Sequence, residues 1–172
     1  MEFNLNKTIE ILERTPRVLK ALLSDLPDEW TLHNEGPETW SPFDILGHLI
    51  VGEQTDWIPR MQMILSESVE AFPPFDMKAQ FEASQGKTMA KLLEEFSEWR
   101  AKNVEVLKAT PIDDAQLNKT GIHPEFGEVK LKDMLATWTV HDLGHIAQIS
   151  RVMAKQYKTE VGPWIQYLGI LK

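Results

Sequence analysis

One helical run, from about Leu131 to Lys155, constrains the fold more than any other part of the chain. Its apolar residues recur at three- and four-residue steps and predict a helix face that packs against a core: Met134, Leu135, Trp138, Ile149 and Val152. His141 and His145 lie on the same face one turn apart, so their imidazoles can be directed at a common point. The pair is either part of a metal site, which needs a third ligand from elsewhere, or a pair of packed core histidines.

Three further amphipathic segments predict three more long helices. The first runs from about Asn6 to Leu26 and is expected to kink near Arg14 to Pro16 rather than to divide into two helices. The second begins with Ser41 as N-cap and Pro42 at the first helical position, bends near Pro59 and stops near Ser66. The third carries an apolar stripe from Phe81 to Leu107 and is weakened by Gly86 in its first part.

The remaining segments connect or cover these helices. Residues 120–129 contain the turn residues of a short hairpin or an ordered loop, and residues 164–168 predict a short terminal helix. Without convincing strand alternation elsewhere, the expected architecture is an all-α four-helix bundle formed by one domain, residues 1–172.

Composition narrows the classes of function. Twenty-six acidic against 18 basic residues give a net charge of −8, which disfavours nucleic-acid binding. The chain has no cysteine, so disulfides, thiolate metal ligands and a cysteine nucleophile are excluded. The N-terminus does not resemble a signal peptide and no apolar run is long enough for a membrane span, so a cytoplasmic protein without membrane contact is expected.

A third histidine completes the predicted metal site. Facing helices of a bundle can direct side chains at one ion, and His48 is the only other histidine on a long predicted helix. His48, His141 and His145 would form a three-nitrogen site with an open position, as in catalytic rather than structural zinc sites. Zn²⁺, Ni²⁺, Co²⁺ and Fe²⁺ all suit these donors, and zinc or nickel is the expected ion.

Neighbouring residues supply candidate roles. Gln148 is one turn beyond His145 and could bind a metal-bound water or the substrate, or it could merely satisfy a backbone carbonyl. Trp138 is the tryptophan expected to form a wall of the pocket. Asp142 and Glu53 are candidate partners of an imidazole N–H, but the simpler interpretation of both is an exposed carboxylate.

Three glycines stand near the histidines: Gly47, Gly52 and Gly144. Glycine inside a helix costs roughly 1 kcal/mol relative to alanine, which a close approach of backbone or ligand would explain. Ordinary tight packing between helices explains them equally well.

The order of these motifs resembles the DinB/YfiT-like superfamily of metalloenzymes over nearly the whole chain. The resemblance rests on the following stretches: Glu29-Trp30, Trp40-Ser41-Pro42, Gly47-His48-Leu49, His123 to Val129, Leu135 to Trp138 and His141 to Ile149. It implies a bundle of up-down-down-up topology, a divalent metal held at His48, His141 and His145, and frequent homodimers. Relatives include S-transferases that use the thiols bacillithiol or mycothiol, and a mycothiol-dependent isomerase.

Three functions remain open from the sequence. The first is a metal-dependent enzyme for a small-molecule substrate, in which the ion activates water or a low-molecular-weight thiol cosubstrate. Asp142 points roughly 100° away from the histidine face, so no general base for hydrolysis is evident and thiol transfer is slightly favoured. The second is a noncatalytic metal-binding or ligand-binding protein of a stress response. The third is a structural bundle with packed histidines.

Overall fold

The computed structural model describes residues 2–172, which form a bundle of four long helical segments. The helices in chain order are α1 (Leu5–Leu12), α2 (Thr15–Leu23), α3 (Asp28–Thr31), α4 (Pro42–Thr55), α5 (Trp57–Leu65), α6 (Ala79–Ala83), α7 (Met89–Ala109), α8 (Asp114–Leu117) and α9 (Leu131–Lys155). The bundle consists of α1 with α2, α4 with α5, α7, and α9. The expected fold class, an all-α four-helix bundle, is confirmed.

The first segment is divided at Pro16, so the prediction of one kinked helix was wrong. Proline has no N–H to donate to the carbonyl of Leu12, four residues earlier, and α1 ends there. Thr15 begins α2 with the proline in its first turn. The freed Leu12 carbonyl accepts a hydrogen bond of 3.0 Å from Nη1 of Arg100 on α7, which turns the break into a contact between helices.

The second segment is likewise broken, three residues before Pro59. Its start is as predicted: Ser41 and Asp44 form a reciprocal capping box in front of α4. The helix stops at Thr55, whose carbonyl cannot receive an N–H from Pro59, and α5 resumes at Trp57. Asp56, between them, has φ −104° and ψ −71°. A break at Asp56 therefore replaces the bend expected at Pro59.

The third segment is shorter than predicted, whereas the fourth matches its prediction. Gly86 takes φ +73°, a conformation that glycine adopts without strain, and the turn it makes separates the short α6 from α7. Thr88 then caps α7 by accepting a hydrogen bond from the backbone N–H of Lys91 at 3.2 Å. Helix α9 spans Leu131–Lys155, as its apolar period indicates.

A two-stranded antiparallel hairpin leads into α9. Strand β1 (Thr120–His123) pairs with β2 (Gly127–Lys130), with Thr120 opposite Lys130 and His123 opposite Gly127. The hairpin alternative for this segment is therefore the one realised. After α9 the chain forms two short 3₁₀ helices, Gly162–Tyr167 and Gly169–Leu171, and the first of them overlaps the short terminal helix predicted at residues 164–168.

The core fills the space between the four segments in two clusters. One surrounds Trp57 and Trp138, and the other surrounds Leu46 and Phe96. Both clusters include residues of α9, so this helix carries the histidine pair through the middle of the bundle. Across residues 2–172, none of the helices combines the length and apolar character that crossing a bilayer requires.

Candidate metal centre

Three imidazoles from two helices meet inside the bundle. His48 is on α4, and His141 and His145 are one turn apart on α9. Nε2 of His141 lies 3.2 Å from Nε2 of His48 and 3.1 Å from Nε2 of His145. The potential ligand atoms of the three residues all lie within 4.8 Å of one another.

These separations fit a common cation. Two nitrogens bound to zinc at 2.0–2.1 Å in a tetrahedral arrangement are roughly 3.3–3.4 Å apart, close to the two short distances observed. The ligand atoms of the third pair, His48 and His145, also lie within 4.8 Å of each other. Three imidazole nitrogens without a thiolate suit borderline divalent ions such as Zn²⁺ and Ni²⁺.

Burial keeps these imidazoles neutral. It lowers the pKa of His48 to about 3, with the neighbouring imidazoles of His145 and His141 acting in the same direction. It also lowers the pKa of His141 to about 3, together with the charges of His145 and Arg100. The pKa of His145 is lowered by burial as well. Neutral imidazoles offer their lone pairs at physiological pH, which is the form that binds a metal.

Gln148 orients one of the three rings. Its Oε1 lies 2.8 Å from Nδ1 of His145. An amide oxygen only accepts, so Nδ1 carries the proton and Nε2 of His145 keeps its lone pair directed at the other imidazoles. By contrast, Nδ1 of His48 and Nδ1 of His141 are buried without a hydrogen-bond partner in the described part of the chain. A catalytic role for Gln148 stays a prediction.

The histidines open into a cavity of about 370 Å³. Besides the three imidazoles, its lining is largely aromatic or apolar and contains one carboxylate: Trp40, Gly52, Asp56, Trp57, Phe75 and Met77. The volume suits a small molecule.

Aromatic rings hold the imidazoles from the sides. Trp40 and Phe75 pack on His48 with ring centroids 4.8 and 5.0 Å away, and Trp57 meets His141 edge to face at 5.2 Å. Trp138, expected to form the pocket wall, is fully buried behind Trp57 and stacks on it at 5.5 Å. Trp57 therefore occupies the place in the lining that Trp138 was expected to have, and a catalytic role for Trp138 stays a prediction.

Asp56 is a carboxylate of the cavity that the sequence did not single out. Its Oδ1 forms an ion pair with Nη2 of Arg60 at 3.0 Å and accepts a hydrogen bond from Oγ1 of Thr55 at 3.4 Å. Its Oδ2 has no partner among residues 2–172 and is not fully buried. Burial raises the pKa of Asp56, against the opposing effects of Arg60 and Thr55.

The two carboxylates expected at the surface are among the most buried groups of the protein, so that interpretation was wrong. Asp142 and Glu53 are 0% and 1% exposed. Neither contacts an imidazole N–H; both are held by Arg100, whose Nη2 donates to Asp142 Oδ1 at 2.9 Å and to Glu53 Oε1 at 2.8 Å. Glu53 Oε1 also accepts from Nε1 of Trp138 at 3.0 Å. These carboxylates join α4, α7 and α9 beneath the histidines.

The three glycines have different explanations. A Cβ on Gly47 would overlap Oγ of Ser84, so close packing of α4 against the segment after α6 requires glycine there. A Cβ on Gly52 would meet only Nε1 of Trp57, at 3.4 Å, and would project towards the cavity. Gly144 is exposed, and no heavy atom of the described chain lies within 4 Å of the position its Cβ would take.

The sequence contains signals for the buried polar residues and the cavity residues that the sequence analysis missed. Arg100 and Asn103 fall on the apolar stripe of α7 at the spacing of Phe96 and Leu107, which marks them as buried polar residues. Asp56 and Trp57 lie three and two residues before Pro59, where a proline disturbs the preceding turn.

Comparisons with known proteins agree with this fold. The family model of the DinB superfamily matches residues 11–149. A protein of Bacillus subtilis (strain 168) named "Putative metal-dependent hydrolase YfiT" is 28% identical over 156 residues, which cover 86% of this chain and 83% of YfiT. The solved structure of YfiT, described as "a probable metal-dependent hydrolase with an unusual four-helix bundle topology", superposes with a TM-score of 0.73 at 24% identity, covering 92% of this chain and 87% of YfiT. The resemblance read from the motifs is thus confirmed, and the chain belongs to the DinB superfamily.

Proposed function

We propose that the protein is a divalent-metal-dependent hydrolase of small molecules that works in the cavity of His48, His141 and His145. The observation that carries the proposal is the convergence of three neutral imidazole Nε2 atoms in a cavity that also contains a buried carboxylate. The name of the similar YfiT protein supports the same class of reaction. When bound, zinc or nickel would supply Lewis acidity and lower the pKa of water at the site.

The protein's own groups would perform the remaining tasks. The three histidines hold the ion, and the hydrogen bond from His145 to Gln148 fixes the donor tautomer of one of them. Asp56 accepts the proton of the attacking water. Its raised pKa makes it a stronger base than a solvated carboxylate, while Arg60 favours its ionised form.

Asp56 changes the balance between the enzyme hypotheses. Thiol transfer was favoured because no base was evident beside the histidines. A carboxylate in the cavity removes that objection to hydrolysis. A low-molecular-weight thiol cosubstrate would use the same cavity and the same base. The experiment therefore has to measure whether turnover requires a thiol.

The test uses protein purified without a histidine tag, loaded with Zn²⁺ and assayed with 4-nitrophenyl acetate by release of 4-nitrophenolate. His145→Ala is expected to lose both zinc and hydrolysis. Asp56→Asn is expected to retain zinc while kcat falls about 10²- to 10⁴-fold, the usual contribution of a general base. His33→Ala, in an exposed loop, is the matched control and should change neither.

Three results would reject the proposal. Failure to bind zinc would favour a structural bundle. Zinc binding without turnover of 4-nitrophenyl acetate or of a wider panel of esters and amides would favour the noncatalytic module. Turnover only in the presence of an added thiol would favour an S-transferase.

The exposed face of α9 supports a homodimer. Val140 and Leu143 are 67% and 48% exposed there, next to the exposed Gly144 and Ala147. Small and apolar residues at this spacing let a second helix approach closely. We propose that a second copy covers this face, so Leu143→Glu should convert a dimer into a monomer in sedimentation velocity. A cytoplasmic location stays a prediction.

A further inference from the structure

We infer that the substrate is an uncharged carbonyl compound whose oxygen accepts a hydrogen bond from the indole N–H of Trp57, and that Gly52 keeps this donor open. The inference rests on the proposed hydrolase function and adds a substrate class and a catalytic residue to it. Trp57 and Gly52 both line the cavity, on either side of the break between α4 and α5.

The first step is that the Trp57 donor is free. The residue is 6% exposed, yet its Nε1 has no hydrogen-bond partner in the part of the chain that the structure describes, and it is not sealed from the cavity. The neighbouring Trp138 differs in this respect. Its ring stacks on that of Trp57 at an interplanar angle of 7°, but its Nε1 donates a hydrogen bond to Glu53. An indole N–H that reaches the cavity without a protein partner is a donor that an acceptor oxygen of a ligand can use.

The second step concerns Gly52, one turn before the break. An added Cβ would lie 3.4 Å from Trp57 Nε1 and touch nothing else within 4 Å in the described structure. The helix backbone there has no positive φ, so its fold does not need glycine. An added methyl group at residue 52 would contact the nitrogen of this donor at the cavity wall, so we attribute the glycine to access to the indole N–H.

The third step concerns the side chains that could bind a charged group of the substrate. Of the residues described, those that line the cavity include no lysine or arginine. The nearby Arg60 is already engaged by Asp56 at 3.0 Å and by the carbonyl of Pro73 at 3.4 Å. Asp56 adds negative charge, and the other lining residues are aromatic or apolar. Apart from the divalent ion of the proposed function, the cavity thus contains no positive charge, and its neutral indole donor suits a carbonyl oxygen.

The chemistry of hydrolysis uses this donor. The oxygen of water forms a bond to the carbonyl carbon, the π electron pair of C=O moves onto its oxygen, and Asp56 takes the proton. The N–H of Trp57 then faces an oxygen that has gained negative charge, so its hydrogen bond strengthens along the reaction. Collapse re-forms C=O and expels the alcohol or amine, which receives the proton from Asp56.

The test reads binding directly. The full-length protein, with and without Zn²⁺, is titrated with benzamide and with toluene, which has the ring but no carbonyl, while the indole N–H signals are followed by NMR. Trp57→Phe assigns the signal of Trp57 and removes the donor. Gly52→Ala covers the donor without removing it, and Trp164→Phe, at a side chain 68% exposed, is the matched control.

Benzamide is expected to move the Trp57 indole proton downfield with saturation, whereas toluene does not. Trp57→Phe and Gly52→Ala should each weaken benzamide binding about threefold to tenfold, the range of one net hydrogen bond, and Trp164→Phe should not. The inference would be overturned if benzamide did not bind saturably or if the Trp57 signal did not move. It would also be overturned if Trp57→Phe and Gly52→Ala both left the affinity for benzamide unchanged. The expected shift without any ester hydrolysis would uphold the donor and reject the hydrolase instead. Gly52→Ala retains the test if Trp57→Phe does not fold.

Discussion

Replacing Arg100 by methionine is expected to destabilise the bundle by about 3–5 kcal/mol, the usual cost of removing one partner from a buried ion pair. The side chain is 1% exposed and donates to three groups on three other helices. Nη1 reaches the Leu12 carbonyl at 3.0 Å and also Asp142 Oδ2, while Nη2 reaches Asp142 Oδ1 at 2.9 Å and Glu53 Oε1 at 2.8 Å.

The magnitude follows from what the substitution leaves behind. Methionine fills much of the volume, so the loss is not mainly a cavity term. It leaves two carboxylates at 0% and 1% exposure without their cation, and it removes the donor that serves the carbonyl freed by Pro16. With a urea m value of about 2 kcal/mol/M, the midpoint of unfolding should fall by about 1.5–2.5 M.

The assay is urea unfolding followed by circular dichroism. Arg151→Met is the matched control, because Arg151 also makes a two-point contact with a carboxylate, Glu35, at 2.8 and 3.0 Å but with a side chain 40% exposed. It should cost about 0–1 kcal/mol. The triple variant Arg100→Met, Glu53→Gln, Asp142→Asn should be more stable than Arg100→Met alone, since no buried charge remains. A loss under 1 kcal/mol for Arg100→Met would refute the reasoning.

Three further predictions concern the histidines and the glycines. His141→Ala removes the imidazole that both others approach, so zinc affinity should fall at least about 100-fold in a chelator competition. For the metal-free protein, burial lowers the pKa values of His48 and His141 from 6.5 to about 3, so between these limits the unfolded chain binds more protons than the folded one. The free energy of unfolding should therefore fall with decreasing pH by about 1.4 kcal/mol per pH unit at pH 6.5 and by up to about 2.7 kcal/mol per pH unit near pH 5. Thermal unfolding at several pH values measures this slope, and a flat profile would contradict the reasoning. Gly47→Ala should lower the free energy of unfolding because its Cβ would overlap Ser84, whereas Gly52→Ala should leave it unchanged or raise it by up to about 1 kcal/mol.

The parts of the fold that depend on local pattern could be predicted from the sequence. Helix α9 and the capped start of α4 were correctly bounded, because apolar period and capping residues act within a few residues. A kink near Pro16 and a bend near Pro59 were predicted, whereas both segments are divided into two helices. Whether a proline bends or divides a helix depends on what satisfies the freed carbonyl, and the donor for Leu12 is 88 positions away.

The histidines of the candidate site could be predicted from spacing along the chain, whereas the burial of the carboxylates could not. His141 and His145 share a face by spacing alone, and His48 was left by elimination. Asp142 was interpreted as exposed because it points away from the histidine face. The direction is correct, but it does not tell whether a neighbouring helix covers this carboxylate. Arg100 of α7 does cover it, and only tertiary packing decides that.

The break at Asp56 connects the fold to the proposed chemistry. An uninterrupted helix through residues 42–65 would place successive residues about 100° apart around its axis. Asp56 and Trp57 would then point in different directions, and they would not both lie on the helix face that carries Gly52. Pro59 ends the helix at Thr55, and both side chains then join the lining beside the histidines. One turn earlier, on the unbroken part of α4, Glu53 is tied through Arg100 to Asp142 on α9. The unbroken part of the segment thus fixes His48 relative to the histidine pair, and the groups proposed to act on a substrate lie at the break.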